Sequence, residues 1–238
     1  MRNKLLFFLF VPYFAFSQKV VDVEKEAVSP TRDGLFFVVS GTAFSPYKYI
    51  KVVDGTPFFS EGWMKGIAYL RDGSKTRCDN LKLDLLSNDV IYKDSAGHEL
   101  IATAPLSRLV LLDSATGKTH VFRNAEIYPF VSKRLNSGWY EEIESGTATL
   151  YKKIKKNTVD ASAFNSATTE QSITSKILYY IEVAGDITQV KSIKDIPLIL
   201  SDKKKELDDF ITAGNLSGKT EAELVQVIDK YNSLAVSR

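Results

Sequence analysis

The groups in this 238-residue chain that could do chemistry are two histidines, one cysteine and 29 acidic side chains. If 98–103, 106–112 and 119–123 are successive strands, His98 and His120 stand on the two that flank the middle one. Their backbones are then roughly 9–10 Å apart, two inter-strand spacings. That is too far for casual contact, and both read as surface histidines beside turns. Glu142 and Glu144 fall on one strand face. General acid–base work needs two carboxyls in unlike environments across a cleft, so this pair reads as solvated. Cys78, within Thr76-Arg77-Cys78-Asp79-Asn80, has no second cysteine for a disulfide and no histidine beside it in sequence. It reads as a small half-buried strand residue. The nearest approach to a phosphate loop, Gly214 to Thr220, has the wrong spacing and follows a helix. A Gly-x-Ser-x-Gly elbow is absent. The sequence therefore assigns no catalytic residue, no metal ligand and no cofactor.

The most unusual local feature is Phe58-Phe59-Ser60-Glu61-Gly62-Trp63-Met64. Phe58, Phe59, Trp63 and Met64 are the candidate ligand-binding residues, either plugging one end of a sheet or lining a mouth for an apolar ligand. The plug is the better fit, because no orienting polar group stands nearby in sequence. Lys152 to Lys156, four lysines around Ile154, alternates faces and reads as a charged edge that discourages sheet-to-sheet pairing.

The elements that must position these groups are mostly strands. From about 35 to 156, β-branched and aromatic runs are broken by Asp54-Gly55, Asp72-Gly73, Asp94 to Gly97 and Asp113 to Gly117. Leu35–Val39 and Tyr49–Val53 open the series. Leu81, Leu83 and Leu85 alternate with Lys82 and Asp84, the period of a strand with one wet face. Further strands are expected near 98–103, 106–112, 119–123, 126–131, 138–143 and 147–155, and then 177–183 and 187–190. Tight turns join neighbours and no crossover segment supports parallel pairing, so the assembly expected is a long antiparallel meander. Asn157 to Ser175 is dominated by Ser, Thr, Asn, Gln and Ala and reads as a long polar loop within one domain spanning 18–238, with a linker between two domains as the alternative.

The tail is helical. Thr220-Glu221-Ala222-Glu223 has the form of a capping box, and Leu224, Val227, Ile228, Tyr231 and Ala235 then share one helical face. Asp202 to Ala213 groups Leu207, Phe210 and Ile211 and stops at Gly214, while Pro197 limits any earlier helix to a turn or so. Two amphipathic helices of this size must bury their stripes on the sheet. The fold class is α+β: a long antiparallel β-meander, with a half-open barrel as one form open to it, packed with two C-terminal helices.

Composition is that of an ordinary globular chain, with 44% hydrophobic and 25% charged residues. The first 17 residues differ. A positive start at Arg2 and Lys4 leads into an apolar run from Leu5 to Phe16, too short to span a bilayer. Ala15-Phe16-Ser17 supplies small residues at −3 and −1 for cleavage after Ser17. The chain is thus expected to be exported, periplasmic or secreted, with no transmembrane segment in its mature form. Losing Arg2 and Lys4 with the leader leaves 29 bases against 29 acids. That balance argues against nucleic acid or a polybasic membrane foot.

Tyr49-Ile-Lys-Val-Val-Asp-Gly-Thr-Pro-Phe-Phe59, Trp63-Met-Lys-Gly66, Asn80-Leu-Lys-Leu-Asp-Leu85 with Asp89-Val90-Ile91, and Tyr231-Asn232-Ser233-Leu234 form a recognisable set. It resembles a family of exported bacterial envelope proteins of uncharacterised activity, in which a Gly-Ser/Thr-Pro-aromatic motif precedes a β-meander. The resemblance implies a cell-envelope or secreted setting and supplies no catalytic residues. A meander folded over helices also looks like the half-open barrels of lipoprotein carriers, an analogy of architecture alone. The expectation carried forward is a non-enzymatic envelope protein that binds a partner or ligand. A carrier of an apolar acyl chain and a hydrolase with a loop-built site are its rivals.

Overall fold

Turn chemistry sets the spacing of the strands, and the alternation of apolar residues sets which face each strand buries. A computed structural model describes residues 40–49, 52–127, 137–162 and 169–236. The leader, the strand expected at Leu35–Val39 and most of that expected at 126–131 lie outside the described residues. The strands are β1 (Gly41–Ala43), β2 (Val52–Asp54), β3 (Met64–Leu70), β4 (Lys75–Asp84), β5 (Asp89–Lys93) and β6 (Glu99–Ala102). They continue with β7 (Leu106–Leu112), β8 (Thr119–Asn124), β9 (Trp139–Glu144), β10 (Ala148–Ser162), β11 (Thr169–Val183) and β12 (Asp186–Val190). Three helices follow: α1 (Ile196–Ile199), α2 (Lys204–Ala213) and α3 (Glu221–Val236). The class is α+β, as expected, with three C-terminal helices where two were expected. The additional one is the single turn that Pro197 permits.

All twelve strands belong to one sheet in the order β1-β6-β5-β4-β3-β7-β8-β9-β10-β11-β12, with β2 attached to β11 off that path. The order departs from an unbroken meander in three places, the first being β1, which pairs with β6. β7 returns to the free edge of β3 instead of pairing with β6, so the sheet grows outward from β3 in both directions. The short β2 pairs parallel with β11 through Gln171 and Ser172, where purely antiparallel pairing was expected. The expected strand Tyr49–Val53 is also divided: 46–49 form a 3-10 turn, and β2 begins at Val52.

The sheet is curled. Laid flat, the path from β1 to β2 would cover ten inter-strand spacings, roughly 48 Å. The chain from Ala43 to Val52 reaches about 30 Å at full stretch. The two ends can be joined only if the sheet bends round toward itself, and among the described residues β1 and β12 do not pair, so the curl stays open. Residues 52–59 form a strap across it. One end pairs with β11; at the other, the amides of Phe59 and Leu85 bond to the carbonyls of Leu83 and Pro57. Gly55 has φ +76°, and a Cβ there would strike the carbonyl of Ile173, so the strap lies backbone to backbone on β11.

The segment expected as a polar loop at Asn157–Ser175 is mostly sheet. Residues 157–162 continue β10 and 169–175 open β11, in unbroken register from Ala148↔Val183 to Ser162↔Thr169. Ser, Thr, Asn and Gln offer no hydrophobic face to read as a strand. Cross-strand pairing nonetheless satisfies their backbone groups, and β-branched threonines suit extended chain.

Facing residues across the ladders give the concave face as one row over eight strands: Thr76, Ala68, Leu109, Phe122, Glu141, Lys152, Tyr179 and Val190. Two apolar clusters bury that face. The first is built on Met64, Leu81, Leu83, Tyr92, Leu109, Leu111, Phe122 and Trp139. The second joins Leu150, Ile181 and Val190 of the sheet to Ile196, Leu207, Leu224, Val227 and Ile228 of the helices. α3 is pinned as well as packed. The Asn232 side chain accepts from the Ala148 amide at 2.8 Å and donates to its carbonyl at 3.0 Å, completing an edge of β10 as a strand would. Gly146 makes room for this, since a Cβ there would lie 2.5 Å from the Asn232 amide carbon.

Candidate functional site

The four candidate residues at 58–64 part company. Met64 and Phe59 turn inward: Met64 is buried in the first cluster, and Phe59 packs edge-on to His120 at 4.8 Å and to Phe122 at 4.9 Å. Phe58 and Trp63 stay on the convex side as part of a stack. The Lys82 ammonium lies 4.7 Å from both ring centres, and that of Lys93 lies 4.5 Å from Trp63. Each ring–ammonium contact contributes about 0.5–1 kcal/mol at such exposed positions, which fastens the 57–63 loop to β4 and β5.

The polar centre of the molecule lies elsewhere, on the concave face at the seam between the two clusters. Ile154 packs against the first cluster, Leu150 belongs to the second, and Lys152 lies between them on the same face of β10. Around Lys152 stand His120 of β8, Glu141 of β9, Tyr179 of β11 and Glu221 at the start of α3. His120 Nδ1 is 2.6 Å from Glu141 Oε1. The Lys152 ammonium is 2.8 Å from Glu141 Oε2 and 2.9 Å from Glu221 Oε2, on which the Tyr179 hydroxyl also donates at 3.1 Å. Its approach to Glu141 is an ion contact off the hydrogen-bond direction, so Oε2 is buried without an N–H aimed at it. Glu141 is 2% exposed, whereas Glu221 is 30% exposed and marks where the network meets solvent.

Burial alone would lower the Lys152 pKa, but the contacts with Glu141 and Glu221 outweigh it and the net direction is up. Burial, reinforced by Glu221, pushes Tyr179 up to about 12. The charge on Glu221 also sits in the first turn of α3, where the helix dipole favours an anion.

A histidine oriented by a buried carboxylate is the base-and-orienter half of a hydrolytic triad. The third member must be a hydroxyl or thiol within hydrogen-bond reach of the other ring nitrogen. Among the described residues no such group bonds to His120, whose ring instead meets Phe59. The Cys78 thiol is engaged with the Asn80 carbonyl at 3.3 Å. The arrangement can hold charge, and it ties four adjacent strands, β8 to β11, to the final helix.

The sequence reading missed this network for identifiable reasons. β6 and β8 do not flank β7; four strands separate them, so His98 and His120 are far apart in the sheet. His98 is a surface residue on Asp94, as expected, but His120 is only 12% exposed. Glu142 and Glu144 do not share a face. A bulge in β9 pairs them with Tyr151 and Leu150, successive residues of β10, which sends Glu142 outward to Arg123 at 2.8 Å. Of Lys152 and Lys153, expected on a solvated charged edge, the first is 12% exposed and the second buried, because β10 lies inside the sheet with Glu221 of α3 over one face and Tyr140 and Ser137 against the other.

Lys153 points to the convex side. Its ammonium donates to the Ser137 carbonyl and lies 4.3 Å from the Tyr140 ring centre. Burial, with the Lys155 charge acting the same way, brings its pKa down from 10.5 to about 8. In that interval the unfolded chain holds a proton that the folded chain has released, so stability from this residue rises with pH between about 8 and 10.5. Below about pH 8 the folded protein carries the full burden of the buried charge. Lys153→Met should therefore stabilise the protein most at pH 7.5 and progressively less by pH 9.5, read as the difference in urea midpoints between variant and parent.

No protein-family model, curated protein or solved structure matches this chain.

Proposed function

We propose that this chain is an exported bacterial cell-envelope protein that binds a partner or ligand and carries out no chemistry of its own. The observation that carries this reading is the internal matching of the buried polar row. Glu141 takes His120 and Lys152, and Lys152 and Tyr179 take Glu221, so the groups best suited to react are held by one another. Catalytic groups are normally left aimed at a position that substrate can occupy. The leader at Met1–Ser17 supports the export part of the proposal.

The test uses the full chain produced in a bacterial host, fractionated, and examined by N-terminal sequencing and native mass spectrometry. The expected product begins at Gln18, is found in the envelope or medium, and carries a non-covalent adduct that survives His120→Ala. Protein that keeps Met1 and stays in the cytosol would overturn the localisation. An adduct that is consumed by the parent but accumulates in His120→Ala would replace the binding reading with the hydrolase.

A further inference from the structure

On the convex face, a second row runs Tyr69, Arg108, Arg123, Tyr140 over β3, β7, β8 and β9. Arg108 and Arg123 are direct cross-strand partners, and like charges in that position are destabilising. Arg123 is relieved: its Nε donates to Glu142 Oε2 at 2.8 Å. Arg108 is not. Its guanidinium lies 5.2 Å from the Tyr69 ring centre, its Nε is buried with no acceptor, and among the described residues no carboxylate pairs with it. A sheet that places an unmatched, partly buried guanidinium opposite another arginine retains an uncompensated positive charge with directed donors.

We propose that Arg108 is the recognition site for a phosphate group on a phosphorylated ligand. A guanidinium fork presents parallel N–H donors that match two oxygens of a tetrahedral oxyanion, and it stays charged at any working pH. Arg123, its cross-strand partner, is already held by Glu142, so Arg108 is the guanidinium of the pair left to take an added anion. The proposal deepens the binding reading by giving its ligand a chemical class, and its test does not depend on export.

The experiment measures binding to purified full chain by calorimetry and thermal melting, with inorganic phosphate, glucose 6-phosphate and phosphatidylglycerol vesicles as probes. Saturable binding is expected for the parent, weakened about 10- to 100-fold in Arg108→Met, the loss typical of a charge-assisted contact. Arg108→Lys should fall between them, since it keeps the charge without the fork. Without phosphate, Arg108→Met should melt no lower than the parent, because it removes a partly buried guanidinium that has no carboxylate partner. Arg108-dependent binding of glucose 6-phosphate assigns the site to soluble phosphate esters, and binding confined to the vesicles assigns it to a lipid headgroup. No saturable response to any probe would overturn the proposal, as would equal responses in parent and Arg108→Met. A markedly lower melt of Arg108→Met without phosphate would show a structural arginine and overturn it too.

Discussion

Lys152→Met should lower the unfolding free energy by about 3–5 kcal/mol, the usual result of removing one partner of a buried ion pair. Methionine keeps most of the aliphatic stem, so the loss reports charge more than packing. What remains is Glu141, 2% exposed, with its Oε2 facing Glu221 and the ammonium between them gone. Glu221→Gln should cost far less, under about 1 kcal/mol, because that carboxylate is partly solvated and screened. The informative comparison is the double variant Glu141→Gln, Lys152→Met. A neutral amide in place of the Glu141 carboxylate can still accept from His120, and the uncompensated charge is gone. The double variant should therefore be more stable than Lys152→Met alone. Urea unfolding of the three variants gives the coupling directly. A Lys152→Met protein as stable as its parent would show that the network contributes no net stability.

Ile228→Ala should cost about 2–5 kcal/mol, the range for truncating a fully buried aliphatic side chain and leaving a cavity. Ile228 is 0% exposed, and Leu224, Val227 and Tyr231 beside it are also buried against β10 and the other helices. Against a total of roughly 5–15 kcal/mol, the loss should appear as a clearly lower melting temperature of the purified variant. An unchanged melt with weakened capture of an envelope component would mean that α3 serves a partner instead of the core.

The strands were legible where hydrophobic alternation and turn residues coincide. β7 was expected at 106–112 and runs Leu106–Leu112, and 119–123 falls within β8. The stripe of α3 was legible for the same reason: its period is local. Three kinds of feature were not. The return of β7 to β3 depends on which edge is free, information that no short window contains. The bulge in β9 lies between Glu142 and Glu144 and puts them on opposite faces without altering composition. Lys152 and Glu221 meet across 69 residues, and nothing local to either announces the other. Of the site candidates, the aromatic run at 58–64 was visible because its residues adjoin in sequence. His120 and Glu141 were not paired, because the assumed strand order placed His120 beside the wrong strand.

The Asn232 pin bears on the order in which the chain can assemble. Ala148 receives its partner from a residue 84 positions later, within the last turns of the last helix. The apolar side of β10 to β12 is therefore only partly covered, by α1 and α2, until α3 has been made. Contacts of such long sequence separation close late, because the loop entropy must be met before any contact offsets it. A chain interrupted before Glu221 would lack Leu224, Val227, Ile228 and Tyr231 and leave the sheet partly uncovered, a surface that invites proteases and self-association. In this fold α3 is the cover without which part of the sheet's apolar side stays open.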